Sequence, residues 1–363
     1  MTRASRRGFA LPILLLALFG AAVVWAVYAT RLVGSFDQRA KIQTETALRI
    51  ARDALIQYAA QSNTPGALPC PDTTNNGIAG DKNGVCSAGA VGRLPWRTLG
   101  IDPPRDGSGE CIWYAVSGDA RSGNGLPIQN RGPGGKLPAL NPGWSGSITL
   151  HDHASGIDSN VIAVLFAPGP RLQTQTRVPG DRCNDSSSPG DFLEALDGYN
   201  DASGTQAVRA TATAGFNDVA LAITAQDLYT AVIPRVLVEL GGTSSAYGFR
   251  QLLLIQPAAY WGGTSPVLDF TSPVVQAAFP QPPVTTPPTY ATIVSGCTHY
   301  TTDGTTSAAG VYSIEWLCFN QWLPYVTFHP NNDFEVVLSV PAFGWQVIAT
   351  PNDKTRLQRI PQG

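Results

Sequence analysis

The run of uncharged residues from Phe9 to Thr30, followed from Phe36 to Gln61 by a stretch with neither proline nor glycine, constrains the fold of this chain most strongly. The first part has 22 residues, and as an α-helix it spans roughly 33 Å. A bilayer's hydrocarbon core is about 30 Å thick. Arg3, Arg6 and Arg7 precede the run with no acidic residue among them, which predicts a cytoplasmic amino end and an external chain after Arg31. In the second part Ala47, Ile50, Ala51, Ala54, Leu55, Tyr58 and Ala59 recur at three- and four-residue spacing, the stripe of an amphipathic helix. Glu45 and Arg49 stand at i,i+4 on its polar side, in the favourable acid-first order. Asn63-Thr64-Pro65-Gly66 is a stop signal. The helical segment is therefore 9–63, with a membrane half at 9–30. Its rod from Phe9 to Gln61 has 53 residues, about 80 Å by the same rise.

A conventional signal peptide is the alternative, with Val27-Tyr28-Ala29 offering small residues before a cut at Thr30. The amphipathic stripe that continues directly from the apolar run argues against it. Gly8-Phe9, followed by a hydrophobic and then amphipathic helix, resembles the type IV pilins and the type II secretion pseudopilins over the first sixty residues. The resemblance implies that residues 1–8 are a leader removed by a prepilin peptidase after Gly8. Phe9 would then be the methylated new amino terminus. It also implies an inner-membrane anchor with a periplasmic head, which later joins other pilin-like subunits in a periplasmic or cell-surface filament. The chain departs from the family at Ile13, where an acidic residue usually neutralises a neighbouring subunit's amino terminus inside the filament. A charge left unpaired in an apolar core is costly, so Ile13 points to a minor or tip subunit rather than a repeating one. Pro12 falls in the first turn after the cut, where a missing N–H costs little.

With 363 residues the chain is long enough for a large core and one or two domains outside the membrane. A net charge of −2 with no long charge run does not favour nucleic acid as a partner. The 14% charged residues, 37 Gly and 29 Pro predict turns and ordered loops around extended strands. A hydrophobic content of 43%, with 8 Trp, argues against disorder. Cys70, Cys86, Cys111, Cys183, Cys297 and Cys318 follow an exported helix, and an even count there predicts disulfides. Zinc is the alternative, but no Cys-x-x-Cys pair exists. Cys70–Cys86 and Cys297–Cys318 would close local loops, which leaves Cys111–Cys183.

The fold class predicted is α+β: a long amino-terminal helix, transmembrane then amphipathic, packed on a large disulfide-containing domain rich in antiparallel strands. That head is 64–363, with the proline-rich stretch 279–288 as a point of subdivision. Strands are expected at Cys111 to Ser117, Ile148 to Leu150, Val161 to Phe166, Gly310 to Phe319, Trp322 to Phe328 and Phe334 to Val340. Residues 171–215 read as a long polar loop or inserted subregion, and the tail from Asp353 to Gly363 as free. A second helix opens at Thr224, with Asp227 completing a capping box and Gly241-Gly242 stopping it. Pro234 is expected to kink it or end it early.

Asp72, Asn76 and Asp81 are candidate calcium ligands, because Asp72-Thr73-Thr74-Asn75-Asn76-Gly77 supplies alternating oxygens and a turn glycine. Asn83 stands where a bidentate glutamate is needed, so an Asx-rich turn is the competing reading. His151-Asp152-His153 would put two imidazoles on one strand face. Zinc wants three or four protein ligands, which favours an exposed polar turn. Gly143-Trp144-Ser145-Gly146-Ser147 lacks the second glycine of a nucleophile elbow, and Gly132-Pro133-Gly134-Gly135-Lys136 lacks phosphate-loop spacing. Tyr260-Trp261 and the segment Trp316 to Trp322 read either as core or as a contact surface. No catalytic constellation emerges, so the function expected is structural and no cofactor is called for beyond the calcium candidate. A membrane-anchored or secreted binding module or adhesin that does not polymerise is the first alternative, and a secreted hydrolase the weaker one.

Overall fold

A computed structural model of the chain describes residues 10–62, 65–80, 91–118, 140–175, 177, 183, 188–242, 320, 322, 325–332, 335–350 and 356–360. Helix α1 covers Ala10–Gln61. Its end has a clear physical cause. The amide of Gly66 turns back to donate to Ala59 O at 2.9 Å, and this reversal uses a φ of 89° that only glycine adopts cheaply. Among the described residues no helix is long and apolar enough to cross a membrane.

The head is mixed helix and sheet. Its central sheet contains β1 (Val91–Arg93), β2 (Trp113–Val116), β5 (Ala163–Ala167) and β9 (Val219–Ile223), ordered β1-β2-β5-β9 and antiparallel throughout. The period of two in these strands separates two cores. Tyr114, Val116, Ala163, Leu165 and Ala167 join one cluster with Leu48, Ala51, Leu55 and Ala59 of α1. Trp113, Ala115, Val164 and Phe166 join the other, with Ile148, Leu150, Phe192 and Ala207. Both faces of the sheet are covered, which is why Ala163–Ala167 is an unbroken apolar run.

The second cluster is roofed by a three-stranded sheet, β4 (Ile157–Val161), β3 (Ile148–Asp152) and β8 (Gln206–Arg209), ordered β4-β3-β8. β3 and β4 form a hairpin, while β8 runs parallel to β3. A short hairpin of β6 (Ala195–Leu196) and β7 (Tyr199–Asn200) precedes it. Residues 188–209 are therefore built structure and not a long loop. Their strands are too short for a periodic signal, and the β3–β8 pairing joins segments far apart in sequence.

Helix α2 (Ala225–Gly241) packs beside α1, and its start is as expected: Thr224 Oγ1 accepts from Asp227 N, and the Asp227 carboxylate accepts from Thr224 N at 3.0 Å. Pro234 neither ends it nor breaks it early. A proline removes the hydrogen bond to the carbonyl four residues back, here Thr230 O. The indole N–H of Trp345 donates to that carbonyl at 3.2 Å. Trp345 opens β12 (Trp345–Ala349), the third strand of an antiparallel meander with β10 (Thr327–Asn332), β11 (Glu335–Val340) and β13 (Arg356–Arg359). Val336, Leu338, Val340, Val347 and Ala349 of this sheet extend the first core beyond α2. Part of the tail is thus a paired edge strand, not free: the backbone of Arg356–Arg359 joins β12 although all four of its side chains are exposed. The expected strand at Gly310 to Phe319 and the 279–288 stretch lie outside the described residues. The strand expected from Trp322 begins only at Thr327, and Trp322 itself is fully buried.

Candidate functional site

The feature most open to a functional role is α1 as it leaves the head. Ala47, Leu48, Ala51, Leu55 and Ala59 are buried against the central sheet and α2. Toward the amino end, Leu14, Leu15, Leu16, Leu18, Phe19, Val23 and Trp25 are exposed, Leu16 at 71% and Trp25 at 73%. Gly8 and Phe9 lie outside the described residues. Ile13 sits on the α1 backbone, with its side chain outside the described set.

The change from bare to buried helix is marked by a clamp. The loop between Arg105 and Cys111 presses onto α1: Gln43 Nε2 donates to Asp106 O at 3.0 Å, and Gly107 N donates to Thr44 Oγ1 at 2.9 Å. Gly107 is required for this approach, because a Cβ there would overlap the backbone of Ala40. Asp106 is buried and shapes the loop from inside. Its Oδ1 accepts from Ser108 N and Glu110 N, both at 2.9 Å, and its Oδ2 from Gly169 N at 2.9 Å. At the far end Arg235 of α2 donates to Ala60 O at 3.0 Å and Ser62 O at 2.6 Å, while its Nε meets Glu239 at 2.7 Å. These are the terminal carbonyls that a helix leaves unsatisfied, and a cation is favoured beside them. The exposed pairs Lys41–Asp37 and Glu45–Arg49 add little.

The calcium candidate is a closed turn. Asp72 is buried; its Oδ1 accepts from Thr74 N at 2.9 Å and its Oδ2 from Gly77 N at 2.5 Å. Asn76 Oδ1 accepts from Ile78 N at 2.8 Å. Backbone donors thus occupy the oxygens that a cation would take, as in an Asx-turn. Asp81 lies outside the described residues. Gly92 packs so close to the Asp72 carbonyl that β1 fixes this turn from the other side.

His151 and His153 do come together, through partners the sequence did not suggest. His151 Nδ1 lies 2.7 Å from Asp158 Oδ1, and its ring stacks on Tyr199 with centroids 4.4 Å apart. Tyr199 donates to Asp158 Oδ2 at 2.6 Å, and His153 Nδ1 lies 2.5 Å from Asp197 Oδ2. The hydrogen bond from Tyr199, then that from His151, holds the Asp158 carboxyl below its ordinary range, and His153 does the same for Asp197. The group pins the β6–β7 hairpin to β3 and β4. Among the described residues no three His, Cys, Asp or Glu side chains are arranged around a metal position.

A second polar group lies in the interior and had no signal in the sequence. Arg93 is buried with its guanidinium 4.1 Å from the Trp113 ring centre and 4.4 Å from that of Phe192; Arg177 stacks on Phe192 at 4.8 Å. Beside them Glu194 Oε2 accepts from Asn217 N at 3.0 Å, and Asp218 Oδ2 accepts from Glu194 N at 2.8 Å. Asp201 Oδ1 accepts from Val208 N at 2.7 Å. Burial lowers Arg177 from its ordinary value, although Glu110, Glu194, Asp218 and Asp106 all favour its charge.

Of the predicted disulfides, Cys111–Cys183 is formed, with Cα atoms 5.5 Å apart. It ties the loop carrying Arg177 to the start of β2. Cys70 is also disulfide-bonded. Cys86, Cys297 and Cys318 lie outside the described residues, as do Tyr260-Trp261, Trp316 and Gly132 to Lys136. Gly143 to Ser147 forms a turn and coil with no nucleophile frame. No family model, curated protein or solved structure matches the chain.

Proposed function

We propose that this chain is a minor, filament-associated subunit of a type IV pilus or type II secretion system, anchored by α1 in the inner membrane before assembly. A prepilin peptidase would cut after Gly8 and leave Phe9 as the mature terminus. The head would lie on the outer side, in the oxidising compartment where Cys111–Cys183 persists. One observation carries this reading. Among the described side chains, the apolar ones of α1 from Leu14 to Trp25 are exposed, and those from Ala47 to Ala59 that face the head are buried in it. Exposing Leu16, Phe19 and Trp25 together to water is unfavourable by about 25 cal/mol per Å² of apolar area, so these residues need lipid or neighbouring helices around them. Ile13 offers no carboxylate to a neighbour's amine, which favours an end position over a repeating one.

The test is a photo-reactive residue at Trp25 in cells that assemble filaments, with one at Ile50 as a control. The Trp25 probe should give adducts with other pilin-like subunits, and the Ile50 probe fewer. Adducts with lipid alone at Trp25 would instead mark an anchored module that does not polymerise.

A further inference from the structure

We propose that Asp201, Asp218 and Glu194 form a proton-operated latch, which holds the segment Glu194–Arg209 closed in mildly acidic surroundings and loosens it above neutral pH. The segment contains the β6–β7 hairpin and β8, and this carboxyl group is its anchor on the interior. Asp201 N donates to Glu194 O at 3.1 Å, closing the base of the hairpin. Val208 N donates to Asp201 Oδ1, fixing β8, and Glu194 N donates to Asp218 Oδ2, tying the hairpin to the start of β9. Asp201 is fully buried and Asp218 nearly so. Asp201 Oδ2 and Asp218 Oδ1 are buried and meet no donor. A carboxylate oxygen buried without a donor is costly to leave charged, so the unpartnered oxygens define a proton site.

The groups facing the pair make proton loss costly. Glu194 adds a negative charge that raises both aspartates, and Asp201 adds a further one that raises Asp218. Arg177, on the loop held by Cys183, attracts Glu194 and Asp218, but Glu110 and Asp106 share its charge. Arg93 on β1 is stacked between Trp113 and Phe192. The acids in this interior outnumber the two cations. Burial, the largest cause, pushes Asp201 up to about 7 and Asp218 well above the carboxyl range.

Because the folded pKa lies above the unfolded one, the stabilisation is complete below about pH 4 and is lost as the pH rises through about 7. Each proton held only in the closed form makes the opening constant rise about tenfold per pH unit across that window. The device does not depend on the filament reading, since it lies within the head.

Amide exchange of the full chain, corrected for intrinsic rates, reads it at Val208 and Glu194 from pH 5 to pH 8. Protection at both amides should fall by at least tenfold in the wild-type chain. Asp201→Asn keeps the acceptor for Val208 and carries no charge at any pH, so its protection should fall less steeply with pH and exceed that of wild type at pH 8. Asp218→Asn does the same from the other side and serves if the first variant folds poorly. Wild-type protection that does not change with pH, or Asn variants with the wild-type slope, would overturn the latch.

Discussion

Leu16 and Leu55 belong to the same helix, yet Leu16 is 71% exposed and Leu55 is completely buried. The difference lies in what the rest of the chain brings to each half. The carboxyl half receives the central sheet, α2, the Asp106 loop and the Arg235 cap. The amino half, in the positions whose side chains are described, receives nothing from its own chain. Its sequence is the more apolar of the two, so composition does not explain the exposure. This exposed apolar surface is what the proposed membrane or filament surroundings would cover.

This contrast can be broken at four points, taken here by size of effect. Leu55→Ala leaves a cavity between helix and sheet and should cost the head about 3 kcal/mol, whereas Leu16→Ala should change it by less than about 0.5 kcal/mol. Urea unfolding of the full chain in detergent, followed by tryptophan fluorescence, compares them. Equal losses would mean that the two halves do not differ as described. Gly107→Val forces the clamp off the Ala40 backbone and should cost about 2 kcal/mol. Gly190→Ala, where an added Cβ meets nothing, is its control and should be near neutral.

Arg235→Leu leaves the carbonyls of Ala60 and Ser62 without this donor and should cost about 1.5 kcal/mol. The loss should appear as faster amide exchange in the last turn of α1. Trp345→Phe keeps an aromatic ring but removes the N–H that answers Thr230 O. It should cost about 1 kcal/mol, with the exchange change confined to the middle of α2 around Pro234.

What could be read from the sequence was local. The Ala47-to-Ala59 stripe and the Thr224–Asp227 capping box are patterns within a few residues; the structure reproduces the box and buries Ala47, Ala51, Leu55 and Ala59 of the stripe, but leaves Ile50 exposed. Proline in a helix is also a local rule, and at Pro234 it misled. The compensating donor, Trp345, lies on a different sheet, far along the chain. β8 was missed for a related reason. Gln206–Arg209 is a strand only because β3 lies beside it, and nothing in its composition distinguishes it from the polar loop around it. The buried acids are the extreme case. Asp201 and Glu194 fall in the polar stretch 171–215, Asp218 just beyond it, and only their convergence makes them unusual. For the histidines, the favoured exposed turn holds for His153, while His151 lies in β3, and their partners Asp158, Asp197 and Tyr199 come from β4 and the β6–β7 hairpin. The Asp72 loop was legible as a turn rich in Asx residues, and its hydrogen bonds favour that reading over a cation site.

The central claim is that the apolar half of α1 is retained and works with the rest of the chain. Intact-mass and amino-terminal sequence analysis of the mature protein, purified from cells with an active prepilin peptidase, tests this directly. The account predicts a chain that begins at N-methylated Phe9. A chain that begins at Thr30 has lost the helix's apolar half, and that result would contradict the account.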